Sequence, residues 1–501
     1  MVANARTSSG LMARKSIEAL QADAESHGLR RTLGPLHLVL FGIGCILGAG
    51  IYVLPGTAAA NFAGPAVMVS FVIAGTACAL TALCYAELAS TMPVSGSSYS
   101  YCYAALGEVF AWSLGWILML EYTLASSTLA VGFSSYLTSL LRDFGVTVPP
   151  FLSTPLVGAS GGFAMNLVAV LAIAAVTAVL CSGVRQSAGV NSFLVVVKVA
   201  VLALVISFGV AAIDPENWKP FVPPHEEGFH YGWPGIIRAA SILFFAYLGF
   251  ETVSTAASES RNPQRDLPVG ILGALFVCTA LYLAVAAILT GVVPYRELGV
   301  ADPVAVAVDR MGHPSVAVLV KVGALMGLSS VLLVNSYGQS RITFQMSRDG
   351  LMPPAFSRVH DKFRTPARGI VVLGVVSSIA AAFFPIGMLA DLVSLGAGLA
   401  FATVCFCTMW LRVQRPDLPR PFRVPLGGFQ VGGAWIGYIP AVALVFCIAM
   451  ILPVLIDIGL QAASGKPLMA IFLGTYLLGG ALLYAFYGRG HSALNRARTP
   501  G

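Results

Sequence analysis

Twelve stretches of this chain are apolar for about twenty residues at a time, the length a helix needs to cross a hydrocarbon core about 30 Å thick. They fall at approximately 36–60, 67–91, 106–140, 164–181, 190–212, 235–258, 270–292, 316–340, 369–386, 389–411, 436–457 and 469–487. Soluble domains carry about 25% charged residues, whereas this chain carries 10% beside 57% hydrophobic residues. Such a chain cannot cover itself with polar surface, and the fold class it predicts is an all-α integral membrane protein. The polar intervals are short, the longest on the expected outer side lying near 141–163 and 213–234. They leave no room for a soluble catalytic domain. No GxxxxGK[ST] phosphate loop is present either, so transport driven by ATP within this chain is not expected, and a gradient-driven carrier or channel is.

Charge sets the expected orientation. Residues 1–35 are polar, and the first apolar run is too long and too late for a cleaved signal, so the N-terminus is expected to stay inside. With twelve spans the C-terminal tail, 488–501, lies on the same side. On that side fall 20 Lys and Arg, against five in the outer loops: Arg142, Lys219, Arg296, Arg310 and Lys466. Topology thus accounts for the net charge of +7, and no nucleic-acid partner is needed. The nine cysteines, at 45, 78, 84, 102, 181, 278, 405, 407 and 447, lie in or beside apolar runs. They imply no disulfide framework, and Cys405-x-Cys407 lacks zinc-ligand spacing. Neither a metal nor a cofactor is implied. Residues 11–25 (LMARKSIEALQADAE) suit a short helix on the inner membrane surface or, alternatively, a partly ordered tail.

Two spans read as broken. GIGCILGAGIY (42–52) packs four glycines into nine residues, and FFAYLGFET (244–252) places Gly249 and a carboxylate in mid-segment. Glycine loosens a helix, and unwound backbone at membrane depth is tolerated only where it is buried in protein or lines a cavity. Interrupted segments at corresponding positions of two halves mark a transporter's midplane site; the first and sixth spans correspond if helices 1–5 and 6–10 are inverted repeats. The alternative is that the glycines only allow close helix packing.

At these residues the chain resembles the prokaryotic cationic amino acid transporter branch of the amino acid–polyamine–organocation (APC) superfamily. The resemblance runs end to end. It is carried by LRRTLGPLHLVLFGIGCILGAGIYVLPG (29–56), YAELASTMPVSGSSYSY (85–101), FFAYLGFETVSTAASESRNPQRDLPVGI (244–271), RITFQMSRDGLMP (341–353) and RVQRPDLPRPFRVP (412–425). It implies a LeuT-type fold: helices 1–5 (36–212) and 6–10 (235–411) as inverted repeats, with peripheral helices 11–12 (436–487). It also implies amino acid transport across a plasma membrane. Free N–H groups at a helix break attract a carboxylate, and the resemblance assigns that role to Ile46, Gly48, Ala49 and Gly50. Carbonyls near Phe245, Ala246 and Leu248 are assigned to the substrate ammonium, with Phe245 also a gate. Ala49 stands where the family often has a hydroxyl, and Glu251 where it commonly has Asp.

Ionisable groups inside a membrane cost about 2.5–3.5 kcal/mol on insertion scales, which makes them functional candidates. Glu251, beside the second break, can attract a cationic side chain or hydrogen-bond a polar one. Glu121 in the third span is placed near the site by the resemblance, the alternative being a structural partner to a buried hydroxyl. Glu87 reads as a structural or gating contact. Lys198, mid-span with no nearby acid in sequence, is a candidate for proton coupling; by resemblance it touches first-helix carbonyls and an eighth-helix hydroxyl, Ser329 or Ser330. The SRDGLMP (347–353) and SESRNPQRD (258–266) segments are expected to form ion-paired loops at the inner gate. The resulting expectation is an amino acid:proton symporter surrounded by lipid and working by alternating access. An exchanger or uniporter of the same fold is the near alternative. An amino acid sensor would call for a long soluble extension, and no nucleophile motif or His/Cys/Asp cluster supports a membrane enzyme.

Overall fold

A computed structural model of the chain describes residues 13–17, 33–94, 96–157, 164–183, 188–256, 260–363 and 365–496. Nearly every apolar run is helical, since only a helix satisfies its own backbone within a single segment in lipid. The first span is α1 (Pro35–Ile46), α2 (Ala49–Tyr52) and α3 (Leu54–Ala58), which turn through 59–66 into α4 (Val67–Thr91). After the short α5 (Ser97–Ala105) come α6 (Glu108–Asp143), α7 (Leu167–Cys181) and α8 (Ala188–Ala211). The sixth span is α9 (Gly232–Leu243), a 3-10 turn (Phe244–Tyr247) and α10 (Thr252–Thr255). Then follow α11 (Pro263–Val292), α12 (Pro303–Arg310), α13 (Pro314–Arg348), α14 (Ala367–Phe383) and α15 (Ile386–Gln414). A hairpin of β1 (Gly428–Val431) and β2 (Ala434–Gly437) precedes α16 (Tyr438–Ala463) and α17 (Leu468–Leu483).

Among the described residues, nine helical runs are long and apolar enough to cross a membrane, and α1, α7 and α14 are shorter apolar helices. The 12 residues of α1 rise only about 18 Å, so its path continues through α2 and α3 beyond a break. α13 runs past the expected end at 340 to Arg348, because the polar RITFQMSR sequence ends the apolar run without ending the helix. The β-hairpin was not anticipated. Its Val431-Gly-Gly-Ala434 turn puts Gly432 and Gly433 at φ of 58° and 85°, the left-handed geometry of a two-residue hairpin loop.

Lipid tails are as apolar as leucine, so helices associate through close packing and hydrogen bonds. A Cβ on Gly42 of α1 would lie 2.6 Å from that of Ala274 in α11. α6 is buried around most of its circumference, while α17 is nearly bare to the surroundings. All nine cysteines are unpaired.

The two ends of the bundle differ. At the basic end, Arg412 of α15 grips Glu87 of α4, whose Oε2 also accepts the Val424 amide at 2.7 Å, and Arg420 stands 3.7 Å away. Residues 13–17 are tucked in here. Ala13 and Ile17 are buried, the Glu108 amide donates to the Ala13 carbonyl, and Lys15 pairs with Asp349. This corrects the expectation of a surface helix for the part of 11–25 that is described; the rest lies outside the described residues. Asp349 also accepts from Tyr99 at 2.9 Å, and burial pushes its carboxyl up from the ordinary value while Lys15 opposes the shift. In the other loop Asp266 accepts the Asn262 amide, and Glu259 lies outside the described residues.

Candidate functional site

The first and sixth spans are interrupted at the same depth and meet there. α1 ends at Ile46, Gly48 takes φ −137° and ψ −130°, and its amide donates back to the Ile46 carbonyl at 2.8 Å. The helix restarts with Ile51 and Tyr52 donating to the Gly48 carbonyl, which leaves the amides of Ala49 and Gly50 ahead of the first turn. In the sixth span, Leu248 turns to an extended conformation and Gly249 takes φ 119°, a value that an L side chain rarely adopts.

The breaks interlock. A Cβ on Gly249 would lie 2.8 Å from the Cys45 carbonyl, and one on Gly50 would lie 2.6 Å from Ala246 Cα. Close packing and unwinding are therefore served by the same glycines rather than being alternatives. Tyr282 of α11, fully buried, directs its hydroxyl at the Ile46 carbonyl (3.0 Å) and the Ala246 carbonyl, one from each break. A hydroxyl has one proton and donates to one of these at a time.

A cavity with about 510 Å³ of empty space, part of it open to solvent, lies against both breaks. Ile46, Gly48, Ala49, Gly50, Phe245, Ala246, Leu248 and Glu251 all line it. α6 contributes Tyr122, Ala125 and Leu129, and α13 contributes Val331, Val334, Asn335 and Gly338. Asn335 gives its side-chain N–H groups to the Tyr122 carbonyl and Ser126 hydroxyl, both at 2.8 Å.

Other expected residues are arranged differently from their assigned roles. Glu251 Oε2 accepts the Gly249 amide at 2.8 Å, so this carboxylate caps the break as well as facing the cavity. Glu121 is 1% exposed, packs against Gly396 of α15 and leaves Oε2 without a partner among the described residues. It does not line the cavity, but it is close enough to Glu251 for the two charges to interact. The Phe245 carbonyl accepts the Leu248 amide, and that of Ala246 faces Tyr282, so these acceptors are already engaged.

Lys198, 1% exposed, donates to the Gly44 carbonyl of α1 at 2.9 Å. Ser329 and Ser330 are not brought to it. Their hydroxyls bond the Met326 and Gly327 carbonyls of their own helix and face a separate groove with Ala175 and Leu194. The eighth helix thus supplies no hydroxyl to Lys198 here. Tyr282, Asn335 and Tyr122 escaped the sequence reading, although each is a polar group inside an apolar run.

A bundle of apolar helices enclosing a small-molecule cavity at two paired breaks defines a multi-pass membrane carrier. The chain belongs to the amino acid permease family, whose model matches residues 33–481, and so to the APC superfamily anticipated from its motifs. It is 41% identical over 488 residues to the methylthioribose transporter of Bacillus subtilis, covering 97% of this chain and all (100%) of that one. The branched-chain amino acid permease of the same organism is also 41% identical, over 486 residues, with 96% of this chain and 98% of that one covered. The chloroplastic cationic amino acid transporter 9 of Arabidopsis thaliana is 38% identical over 390 residues, 77% of this chain and 67% of that one. Family and relatives are transporters and not enzymes.

Proposed function

We propose that this permease imports neutral amino acids together with protons by alternating access, with the substrate's amino acid moiety held between the two breaks. The observation that carries this reading is the convergence of the breaks on one cavity, with the Ala49 and Gly50 amides ahead of a helical turn. Such amides favour a carboxylate. The Leu248 carbonyl is the acceptor we assign to the ammonium, and Phe245 the gate. Ala125, Leu129, Val331 and Val334 offer an apolar wall to the side chain, which favours a branched aliphatic substrate. A branched-chain amino acid permease among the relatives agrees with this. Methylthioribose has no carboxylate for the Ala49 and Gly50 amides, which counts against a substrate of that kind.

The nine long and three shorter apolar helices suit twelve spans in the LeuT-type arrangement, with 36–212 and 235–411 as repeats. The basic end, and with it segments 1–35 and 488–501, faces the cytoplasm of a cell whose plasma membrane holds the protein. Lys198, whose one hydrogen-bond partner among the described residues is the Gly44 carbonyl, carries the coupling proton. Ser329 and Ser330 have no part in that step in this conformation.

Uptake of radiolabelled leucine, arginine and methylthioribose into liposomes containing the protein tests this, with and without an inward proton gradient. Leucine accumulation only with the gradient is expected. Equal uptake in both conditions would mean a uniporter or exchanger, and binding without accumulation a sensor.

A further inference from the structure

At the end of the bundle opposite Lys15 lies a second set of buried charges, outside the cavity. Arg238 of α9 is 0% exposed, and its Nη2 donates both to Asp391 Oδ2 of α15 (2.7 Å) and to Asp457 Oδ2 of α16 (2.9 Å). Each of the three lies five or six residues from its helix end, about 9 Å deep. Arg238 also stacks on Phe62, 4.8 Å from the ring centre, at the turn after α3. The set therefore ties the first half of the broken sixth span to the first span and to α15 and α16.

Its charges do not balance. Two carboxylates, Asp391 buried and Asp457 half-buried, share one guanidinium, and an excess charge largely out of water is costly. Arg238 Nε and Nη1 and Asp391 Oδ1 have no partner among the described residues, so Asp391 Oδ1 can take a proton without breaking the bond through Oδ2. Among the elements packed here, α9 has only Arg238, α16 only Asp457, and α3 and the 59–63 turn have no charge, while α6, which packs along α15, carries Glu108 toward the basic end, Glu121 beside Gly396, Arg142 near Asp302 and Asp143 on Lys321. The other charges of α4 and α15, Glu87 and Arg412, pair with each other at the basic end. The remaining titratable neighbours are Tyr247 in the 3-10 turn and His230, stacked on Phe62.

We propose that Arg238, Asp391 and Asp457 form a proton-binding latch, which takes up one proton from the adjoining water as this end packs shut and returns it as the end opens. Opening separates α9 from α15 and α16, water solvates both carboxylates, and both ionise. Closure dehydrates them, and the pair binds a single shared proton, a property of the pair and not of either acid. The latch does not depend on Lys198 or on which amino acid is carried.

Infrared difference spectroscopy of the full chain in liposomes, between alkaline and acid pH, reads the carbonyl stretch of protonated carboxyls. The expected result is a titrating band that is lost in both Asp391→Asn and Asp457→Asn, since removing either acid leaves a balanced ion pair. The band persists in Lys198→Met, Glu251→Gln and His230→Gln. In Asp391→Asn and Asp457→Asn, gradient-free exchange of substrate loses the pH dependence that one linked proton gives, up to about tenfold per pH unit. Asp457, the more exposed acid, serves if Asp391→Asn does not fold. Persistence of the band in Asp457→Asn, or its loss in His230→Gln, overturns the proposal.

Discussion

Lys198 and Arg238 are each at most 1% exposed, yet the protein treats the two cations in opposite ways. Lys198 has a backbone carbonyl for company, whereas Arg238 has two carboxylates and an aromatic face. A lysine surrounded by dipoles alone can exist without its charge, because loss of a proton costs it no ion pair. A guanidinium cannot lose its proton in this way, so any proton exchanged around Arg238 must come from the acids. The lysine lies next to the first break, where we propose that substrate binds, and the arginine near an end, where the proposed path opens. Lys198 has no acid beside it among the described residues, whereas Arg238 ties helices together through a surplus of acid, and there the charge that changes is carried by the carboxylates.

Removing the cations should therefore have opposite effects on stability. Arg238→Ala leaves the buried Asp391 and the half-buried Asp457 uncompensated and is expected to cost about 3 kcal/mol, read as a large fall in the thermal midpoint in detergent. Lys198→Met removes a desolvated charge and fills the same volume, so its midpoint should hold or rise. A fall as large as that of Arg238→Ala would erase the distinction. Tyr282→Phe takes away one hydroxyl shared by two carbonyls and should cost about 1 kcal/mol, while slowing exchange by loosening the two breaks from each other.

A pH-dependent effect lies near the cluster in which Lys321 pairs with Asp143 and Asp309. Burial pushes the nearby Asp302 carboxyl up to about 6, with Arg142 and Lys321 pulling it down. The folded protein then keeps a proton that the unfolded chain has released, so Asp302 makes stability fall as pH rises from about 4 to about 6. Asp302→Asn should remove that slope, leaving the midpoint unchanged below about pH 4 and raised above about pH 6.

What could be read from the sequence was local. The spans follow from runs of apolar residues, and both breaks follow from glycines set within them. Lys198 stood out because no acid lies near it in its own run. The contacts that define the site join residues far apart in the chain, as with Tyr282 and Ile46 or Asn335 and Tyr122, and no spacing rule reaches across such distances. Arg238, Asp391, Asp457 and Lys321 are another matter. Each lies inside an expected span, and the rule that singled out Glu251 and Lys198 applies equally to them. Glu251 shows the converse limit: a carboxylate beside a break was expected to face substrate, and its first partner is the amide two residues before it.

The division of labour between substrate-holding breaks and a coupling lysine is tested most directly by Lys198→Met in liposomes, assayed in two ways on one preparation. The account predicts that gradient-driven accumulation of leucine is lost while gradient-free exchange of leucine continues. Accumulation that survives, or exchange that is lost to the same degree in protein still folded, would contradict it.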